Sequence, residues 1–428
     1  MRILVIAHRM PFPPNKGDKI RAFNVISRLA KRHDVYVASL IDEPADVPQV
    51  SRFESYVKRF LYERIDGRRR PVSALKSLPF GRSITVTHFY SAALQARIDA
   101  LLDEIEVDAV LCSSSPTAEY VFRSRHVQGQ LARAVKVMDL IDVDSYKWAQ
   151  YAARSRPGIS WVYRYEANRL AAYEARIGAT FDRLLLVSDQ ECSYFPRGKC
   201  LPALAQGKLR AMSNGVDLDY FSPAHSHAQA QAPATPANPS TLVFTGVMDY
   251  WPNVEGVTWF VERIWPVIHA GAPEARVQIV GSRPTKEVQR LGTVPGVSVT
   301  GFVEDVRDYL GPATACIAPL RIARGVQNKV LEAMAMGRAV VTTPQAFEGL
   351  RAQRGRDIVV ADGEAAFADA VLGLLRDPAR AAQIGRNARL CVEAEYNWDE
   401  NLRELEAMLA GTSGSPEHVA QGRRESVA

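Results

Sequence analysis

Short runs of consecutive apolar residues alternate along this chain with longer stretches whose apolar residues recur every three or four positions. The first run, RILVIA at residues 2–7, is followed by a Pro/Gly-rich loop at residues 11–17. Over residues 18–32, Ile20, Phe23, Ile26 and Leu29 share one face of a predicted helix, and residues 34–40 form the next predicted strand. Further strands are predicted at 109–112, 135–140, 184–187 and 209–213, with helical spacing between them. Strands that are apolar throughout and joined through helices predict an α/β architecture: an open, mostly parallel sheet covered by helices.

The alternation breaks at residues 222–240 (SPAHSHAQAQAPATPANPS), a stretch free of aromatic residues that reads as a flexible linker or long surface loop. It resumes with strands at 242–245, 277–280, 297–300, 315–318, 339–342 and 358–360. The expected organisation is an N-terminal domain over 1–215, a linker over 216–240, a second domain over 241–410 and a polar, disordered tail over 411–428. In open parallel sheets ligands bind beyond the carboxyl ends of the strands, and two such domains facing each other make a cleft.

Composition narrows the class. With 428 residues, 47% apolar and 23% charged, the chain has material for two buried cores, which excludes a mainly disordered chain or a small disulfide scaffold. No apolar run reaches the roughly 18 residues of a spanning helix, and the opening apolar segment is too short for a signal peptide, so a cytoplasmic protein is expected. Cys112, Cys192, Cys200, Cys316 and Cys391 are scattered, which predicts reduced thiols and neither a zinc site nor a disulfide frame. The net charge of +6 favours anionic partners such as phosphates or a membrane surface. No G-x-G-x-x-G follows the first strand and no P-loop is present, so a dinucleotide dehydrogenase and a P-loop nucleotidase are unsupported.

The richest stretch for chemistry is 315–343, ACIAPLRIARGVQNKVLEAMAMGRAVVTT. It predicts a strand, a loop, a helix with Gly325 and Val326 at its N-terminus, then Gly337 and another strand. A helix N-terminus offers unpaired N–H groups to a phosphate, and Arg321, Arg324 and Lys329 add cations around it. Glu332, seven residues after Gly325, is placed to accept the hydroxyls of a ribose. By spacing alone, a βαβ unit with merely solvated charges fits the stretch equally well.

This stretch resembles the donor-site signature of the family-4 retaining glycosyltransferases, in which a Glu is followed after seven residues by Glu-Ala-Met-Ala-x-Gly. Glu332-Ala333-Met334-Ala335-Met336-Gly337 matches the second half, while Arg324 stands where the first Glu is expected. Asn214-Gly215-Val216-Asp217, the loop opening at Gly246, and Thr300-Gly301-Phe302 resemble the family's domain-junction, glycine-loop and nucleobase-loop segments. The loop Arg and Lys that contact the diphosphate are not evident, and Asp249 and Asn253 stand nearby instead. The phosphate cations then come from Arg283, Arg321, Arg324 or Lys329. Residues 11–24, 140–152 and 184–195 are similar to sugar transferases of exosortase/PEP-CTERM exopolysaccharide systems.

The resemblance implies a GT-B fold, with two Rossmann-like domains facing across a cleft, and transfer of a hexosyl group with retention. The donor is a nucleotide-sugar and the acceptor a glycan or a polyprenyl-diphosphate-linked intermediate. It implies donor contacts at Gly246, Arg283, Phe302, Arg321, Gly325, Val326, Lys329 and Glu332, with catalytic roles for Arg324, Lys329 and Glu332. It implies no metal or other cofactor. A non-catalytic GT-B binding or scaffold protein and a GT-B nucleotide-sugar epimerase are the alternatives.

On the acceptor side, the loop before the first helix offers Gly17 for close backbone approach and Lys19 and Arg21 as cations; an ordinary solvated turn is the alternative. His8, at the end of the first strand, is a weaker candidate. Asp142-Val143-Asp144 and Asp217-Leu218-Asp219 are rejected as metal motifs. Asp142 either orients an acceptor hydroxyl or, with its neighbours to Ser145, caps the following helix. The basic and aromatic stretch 58–82 either rests on anionic lipid at the inner face of the membrane or is a solvated face. Nucleic-acid binding is not expected, because no recognised module accompanies it.

Overall fold

The computed structural model describes residues 1–65, 77, 81–195, 205–224, 240–323 and 325–411. The linker at 225–239, the tail at 412–428 and most of the basic stretch (66–76 and 78–80) lie outside the described residues. The chain divides into two compact units. The first runs to Met212 and takes in the chain from Asp399 onward, and the second is Ser213–Trp398.

The first unit is a seven-stranded parallel sheet in the order β3-β2-β1-β4-β5-β6-β7. Its strands are β1 (Arg2–Ala7), β2 (Asp34–Ile41), β3 (Arg59–Arg64), β4 (Ala109–Ser113), β5 (Val135–Ile141), β6 (Arg183–Leu186) and β7 (Leu209–Ala211). The central strands β1 and β4 are buried on both faces, which is why they read as unbroken apolar runs. Strand β3 is new relative to the sequence reading, which treated Lys58 and Arg59 as part of a lipid-facing or solvated surface. It is an edge strand: Phe60 is buried, Lys58 pairs with Asp34, and Arg59 pairs with Glu104.

Helix α1 (Gly17–Leu29) is fixed by two buried ion pairs. Arg21 is fully buried and donates to both carboxylate oxygens of Asp139 on β5, at 2.7 and 2.9 Å, and to the Met212 carbonyl at 2.9 Å. Lys19, 1% exposed, reaches Asp46 at 2.5 Å. The expected role of Lys19 and Arg21 as cleft cations is thus corrected, since carboxylates inside the unit already neutralise both charges.

Helix α2 (Ala92–Glu104) packs against the β3 side of the sheet. Helices α3 (Asp144–Arg154) and α4 (Pro157–Thr180) form a hairpin after β5. The expectation that residues 142–145 cap α3 is also corrected. Asp144 instead binds Ser115 and Lys147, and the N–H and hydroxyl of Ser145 are taken by the buried Glu174 of α4 at 3.0 and 2.5 Å. Val143 N–H goes to Glu191.

The second unit is a six-stranded parallel sheet in the order β10-β9-β8-β11-β12-β13. Its strands are β8 (Thr241–Thr245), β9 (Arg276–Val280), β10 (Val297–Gly301), β11 (Ala315–Ala318), β12 (Ala339–Thr342) and β13 (Val359–Val360). Helix α5 (Trp251–Trp259) follows β8, and α6 (Asn328–Ala335) lies between β11 and β12. Helices α7 (Glu364–Arg376) and α8 (Pro378–Glu395) pack beside β12. The last helix, α9 (Trp398–Leu409), groups with the first unit, where Arg28 pairs with Asp399 and Arg32 with Glu406. Among the described residues, no helix is long and apolar enough to cross a membrane.

Candidate active site

The second sheet changes direction of growth between β8 and β11, so the loops leaving these two strands diverge and open a crevice at their carboxyl ends. The loop after β8 begins with Gly246, whose N–H bonds Val280 O at 3.0 Å, while Met248 N–H bonds Ser282 O at 2.8 Å. The loops after β8 and β9 therefore run in direct backbone contact. Gly281 makes this possible: its φ is +152°, and a Cβ there would sit 1.6 Å from the Gly246 carbonyl oxygen. Gly281→Ala is expected to lower stability by on the order of 3 kcal/mol, because strain and backbone collision add. A denaturant titration of the chain measures it, and an unshifted midpoint would contradict the close approach.

Gly246 also leaves room for two side chains, since a Cβ on it would lie 2.7 Å from Asn253 Nδ2 and 3.1 Å from Lys329 Nζ. Asn253, in the first turn of α5, is buried; its Nδ2 donates to Val247 O at 2.9 Å and its Oδ1 accepts from Lys329 Nζ at 2.5 Å. The Lys329 ammonium also lies 4.3 Å from the centroid of the Phe244 ring. No carboxylate among the described residues forms an ion pair with it.

The helix carrying Lys329 starts later than the sequence suggests. Gly325 has φ +57°, a left-handed turn that cannot belong to the helix, and the Val326 side chain is buried. Helix α6 opens at Asn328, with Gln327 preceding it and no side-chain cap. Val330 N–H bonds the Gln327 carbonyl at 2.9 Å, and the Asn328 and Lys329 N–H groups before it have no acceptor within the helix. Asn328 Oδ1 accepts from Asn214 Nδ2 at 3.0 Å, which ties the helix start to the Asn214–Asp217 segment.

Glu332 follows one turn along α6, half-buried like Lys329. No hydrogen bond or ion pair among the described residues holds its carboxylate. Burial pushes the Glu332 carboxyl up to about 7 and the Lys329 ammonium down to about 7, each shift partly offset by the other's charge. A cation and an anion thus sit in one recess, each without a counter-ion in direct contact.

The far end of α6 explains the remaining motif residues. Gly337 closes it with φ +67°: its N–H bonds Met334 O and Arg338 N–H bonds Ala333 O. Helix α8 crosses so closely that a Cβ on Gly385 would lie 2.1 Å from the Gly337 carbonyl oxygen. From α8, Arg389 donates to the carbonyls of Ala335, Phe221 and Leu218, at 2.7, 2.6 and 3.3 Å.

Two of the expected phosphate cations have partners. Arg321 pairs with Glu255 of α5 and lies over the Trp259 ring. Arg283, at φ +56°, pairs with Asp249 at 3.0 Å. Arg324 lies outside the described residues. Lys329 is therefore the cation that the described structure leaves open to an anionic ligand in this recess. Phe302, after β10, is 77% exposed and presents a free ring face.

Comparison with known proteins decides what kind of domain this is. Residues 239–377 match the family described as glycosyl transferases group 1. Over these residues the second unit is similar to glycosyltransferase group 1 domains. Over nearly its whole length the chain is similar to an uncharacterized 44.6 kDa protein in the cps region of Klebsiella pneumoniae, with 21% identity over 411 residues, 92% of this chain and 96% of that one. It is 28% identical over 239 residues to D-inositol 3-phosphate glycosyltransferase 2 of Catenulispora acidiphila, 51% of this chain and 53% of the relative. Among solved structures it is similar to Anabaena HepE in complex with UDP and glucose, with a TM-score of 0.65 at 14% identity, covering 95% and 99% of the two chains. The fold is GT-B, as the sequence resemblance implied, and the matches support a glycosyltransferase.

The second unit holds Gly246, Lys329 and Glu332 together, with Gly325 and Val326 in the loop leading into α6. Sequence reading noted Asn253 only as a neighbour of the glycine loop and missed its bond to Lys329. The acceptor candidates lie in the other unit. Gly17 is the exposed first residue of α1 and does not adopt a left-handed φ, so no backbone requirement singles it out. Asp142 is half-exposed just beyond β5. His8 Nε2 donates to the Asp18 carboxylate at 3.1 Å at the end of β1, and Asp18 also accepts from Arg9 at 3.1 Å.

Proposed function

We propose that the chain transfers a hexosyl group, with retention, from a nucleotide-sugar bound in the second unit to a hydroxyl of a glycan or polyprenyl-diphosphate-linked acceptor. The observation that carries this reading is that Lys329 and Glu332, without direct counter-ions, share one recess at the β8/β11 crevice. The match of residues 239–377 to the glycosyl transferases group 1 family and the UDP complex of the similar HepE structure support the donor class. The relative in a cps region supports polysaccharide synthesis as the setting.

In this reading the donor's diphosphate lies at the opening of α6. Lys329 and the first-turn N–H groups stabilise the charge that builds as the nucleoside diphosphate departs. Glu332 accepts both ribose hydroxyls, and Phe302 stacks on the base. Arg324 joins the diphosphate, and Arg283 and Arg321 contribute by exchanging their present carboxylate partners for phosphate. The first unit binds the acceptor, with Gly17 and Asp142 beside it, at the inner face of the cytoplasmic membrane. A sugar-binding protein without turnover is the second reading, favoured by Arg324 in the position where the family signature has Glu.

The test is a panel of nucleotide-sugar donors offered to the purified chain with a lipid extract, with products read by mass. A glycosylated lipid or glycan with release of nucleoside diphosphate supports transfer. A bound nucleotide that no acceptor turns over supports the second reading.

Glu332→Ala is expected to weaken nucleoside-diphosphate binding about 10- to 100-fold, the value of hydrogen bonds to a charged acceptor. The corresponding 2′,3′-dideoxy nucleotide should lose little on the same substitution. Calorimetric affinities compare the two, and an equal loss for both nucleotides contradicts the ribose role.

The pH dependence follows from the two shifts. With its proton leaving at about 7, Lys329 is largely neutral above that pH, and a bound diphosphate draws the proton back. Binding is then expected to take up protons and to weaken as pH rises beyond about 7. It should also weaken below about 7, where Glu332 becomes protonated and loses acceptor strength. Calorimetry in buffers of different ionisation enthalpy measures the uptake, and binding independent of pH across neutrality contradicts it.

A further inference from the structure

We infer that the α3–α4 hairpin of the first unit is a docking surface for an anionic lipid bilayer. The hairpin separates its charges by depth. From Ser145 to Thr180 the acidic side chains are Glu166 and Glu174, and both are buried, at 1% and 0% exposure. Both are used internally. Glu166 accepts from Ser83 Oγ and from the Ile84 and Thr85 N–H groups, and Glu174 caps α3. The exposed charges of the same stretch are basic: Arg156, Arg164, Arg169 and Arg176. Among the described residues, none of the four has a carboxylate partner.

Apolar surface accompanies these cations. Ile159 and Trp161, in the first turns of α4, are 52% and 60% exposed, and Trp161 is the most exposed tryptophan of the chain. Trp161, Arg164, Tyr165 and Asn168 share one face at i, i+3, i+4 and i+7. The Trp161 and Tyr165 rings stack, and Arg169 lies over Tyr165. Elsewhere on the hairpin Trp148 and Tyr151 of α3 pack against Tyr163 of α4 and tie the two helices together.

This pattern fits one occupant best. Large rings beside unpaired guanidinium groups suit the headgroup boundary, where the ring body is half-desolvated and arginine meets lipid phosphate. An acidic protein would meet the charge but would leave Ile159 and Trp161 without a hydrocarbon phase. The hairpin also adjoins the basic stretch: Tyr165 Oη donates to Arg82 O, and the Arg169 guanidinium lies against Gly81. The inference does not depend on the transferase reading.

The experiment is co-sedimentation of the full chain with vesicles of phosphatidylglycerol and phosphatidylcholine, compared with phosphatidylcholine alone. Two variants are used: an aromatic one (Ile159→Ser with Trp161→Ala) and a charge-reversed one (Arg156→Glu with Arg164→Glu). The native chain is expected to bind the anionic vesicles, with an affinity that falls as salt rises. Each variant is expected to bind them at least about tenfold more weakly, with unchanged nucleotide affinity as the check on folding. The inference is overturned if the native chain ignores the vesicles, if it binds neutral ones equally, or if either variant sediments like the native chain.

Discussion

Lys329→Ala is expected to lower kcat for sugar transfer by about 10²- to 10³-fold, the range found when one preorganised electrostatic donor is removed. The geometry gives the reason. The ammonium is held by one neutral acceptor, Asn253 Oδ1, and one ring face, Phe244, and no carboxylate contacts it directly, with Glu332 one turn away offsetting its burial only in part. Burial makes that charge unfavourable in the empty site, as its lowered pKa records. A leaving diphosphate gains negative charge in the transition state and relieves this cost there more than in the ground state. The loss should therefore fall mainly on kcat, with a smaller change in donor KM. Stability should hold or rise, because a poorly solvated ammonium has been removed. Lys329→Arg should not rescue turnover, since Gly246 and Asn253 already crowd Nζ. Steady-state kinetics with saturating donor decides the matter, and a variant with native kcat removes Lys329 from the chemistry.

Asp139→Leu should give the largest stability change in the first unit, about 3–5 kcal/mol, because Arg21 would remain charged and fully buried with its main partner gone. For a unit of this size that lowers the thermal midpoint by on the order of 10 °C. The double variant Arg21→Met with Asp139→Leu should regain most of the loss, since an apolar pair of similar volume leaves no orphaned charge. Nucleotide affinity of the second unit should be unaffected while the first unit remains folded. Calorimetric melting of the three chains provides the measurement. If the double variant proves no more stable than the single one, the ion pair is not the source of the effect.

Much of the fold was legible because its strongest signals are local. Buried parallel strands are unbroken apolar runs, β11 throughout and β1 after its exposed Arg2, and the turns between strands are marked by Gly and Pro. Strand β3 escaped because an edge strand keeps its charges: within RFLYER only Phe60 is buried. The site divided along the same line. Glu332 and Gly337 stood out by motif spacing and Lys329 by its place in the helix. Arg21 passed for a surface cation because Asp139 lies 118 positions away, and Arg321 likewise because Glu255 lies 66 away. The Glu174 cap of α3 is another long-range partner, 29 residues from Ser145. Local pattern places a charge on an element but does not reveal what meets it across the sheet. Asn253 shows the same limit, since its role depends on a contact across 76 positions.

Helix α6 is fastened at both ends to the stretch that enters the second unit. Asn214 grips its first residue, and Arg389 clamps its last carbonyl to those of Leu218 and Phe221. The helix bearing Lys329 and Glu332 and the strap from Asn214 to Phe221 therefore move as one piece. A tug on the strap is felt at the start of α6, and under the proposed donor-binding mode a nucleotide seated there would stiffen the strap in return. Residues that never touch the ligand can thus tune how firmly it is gripped.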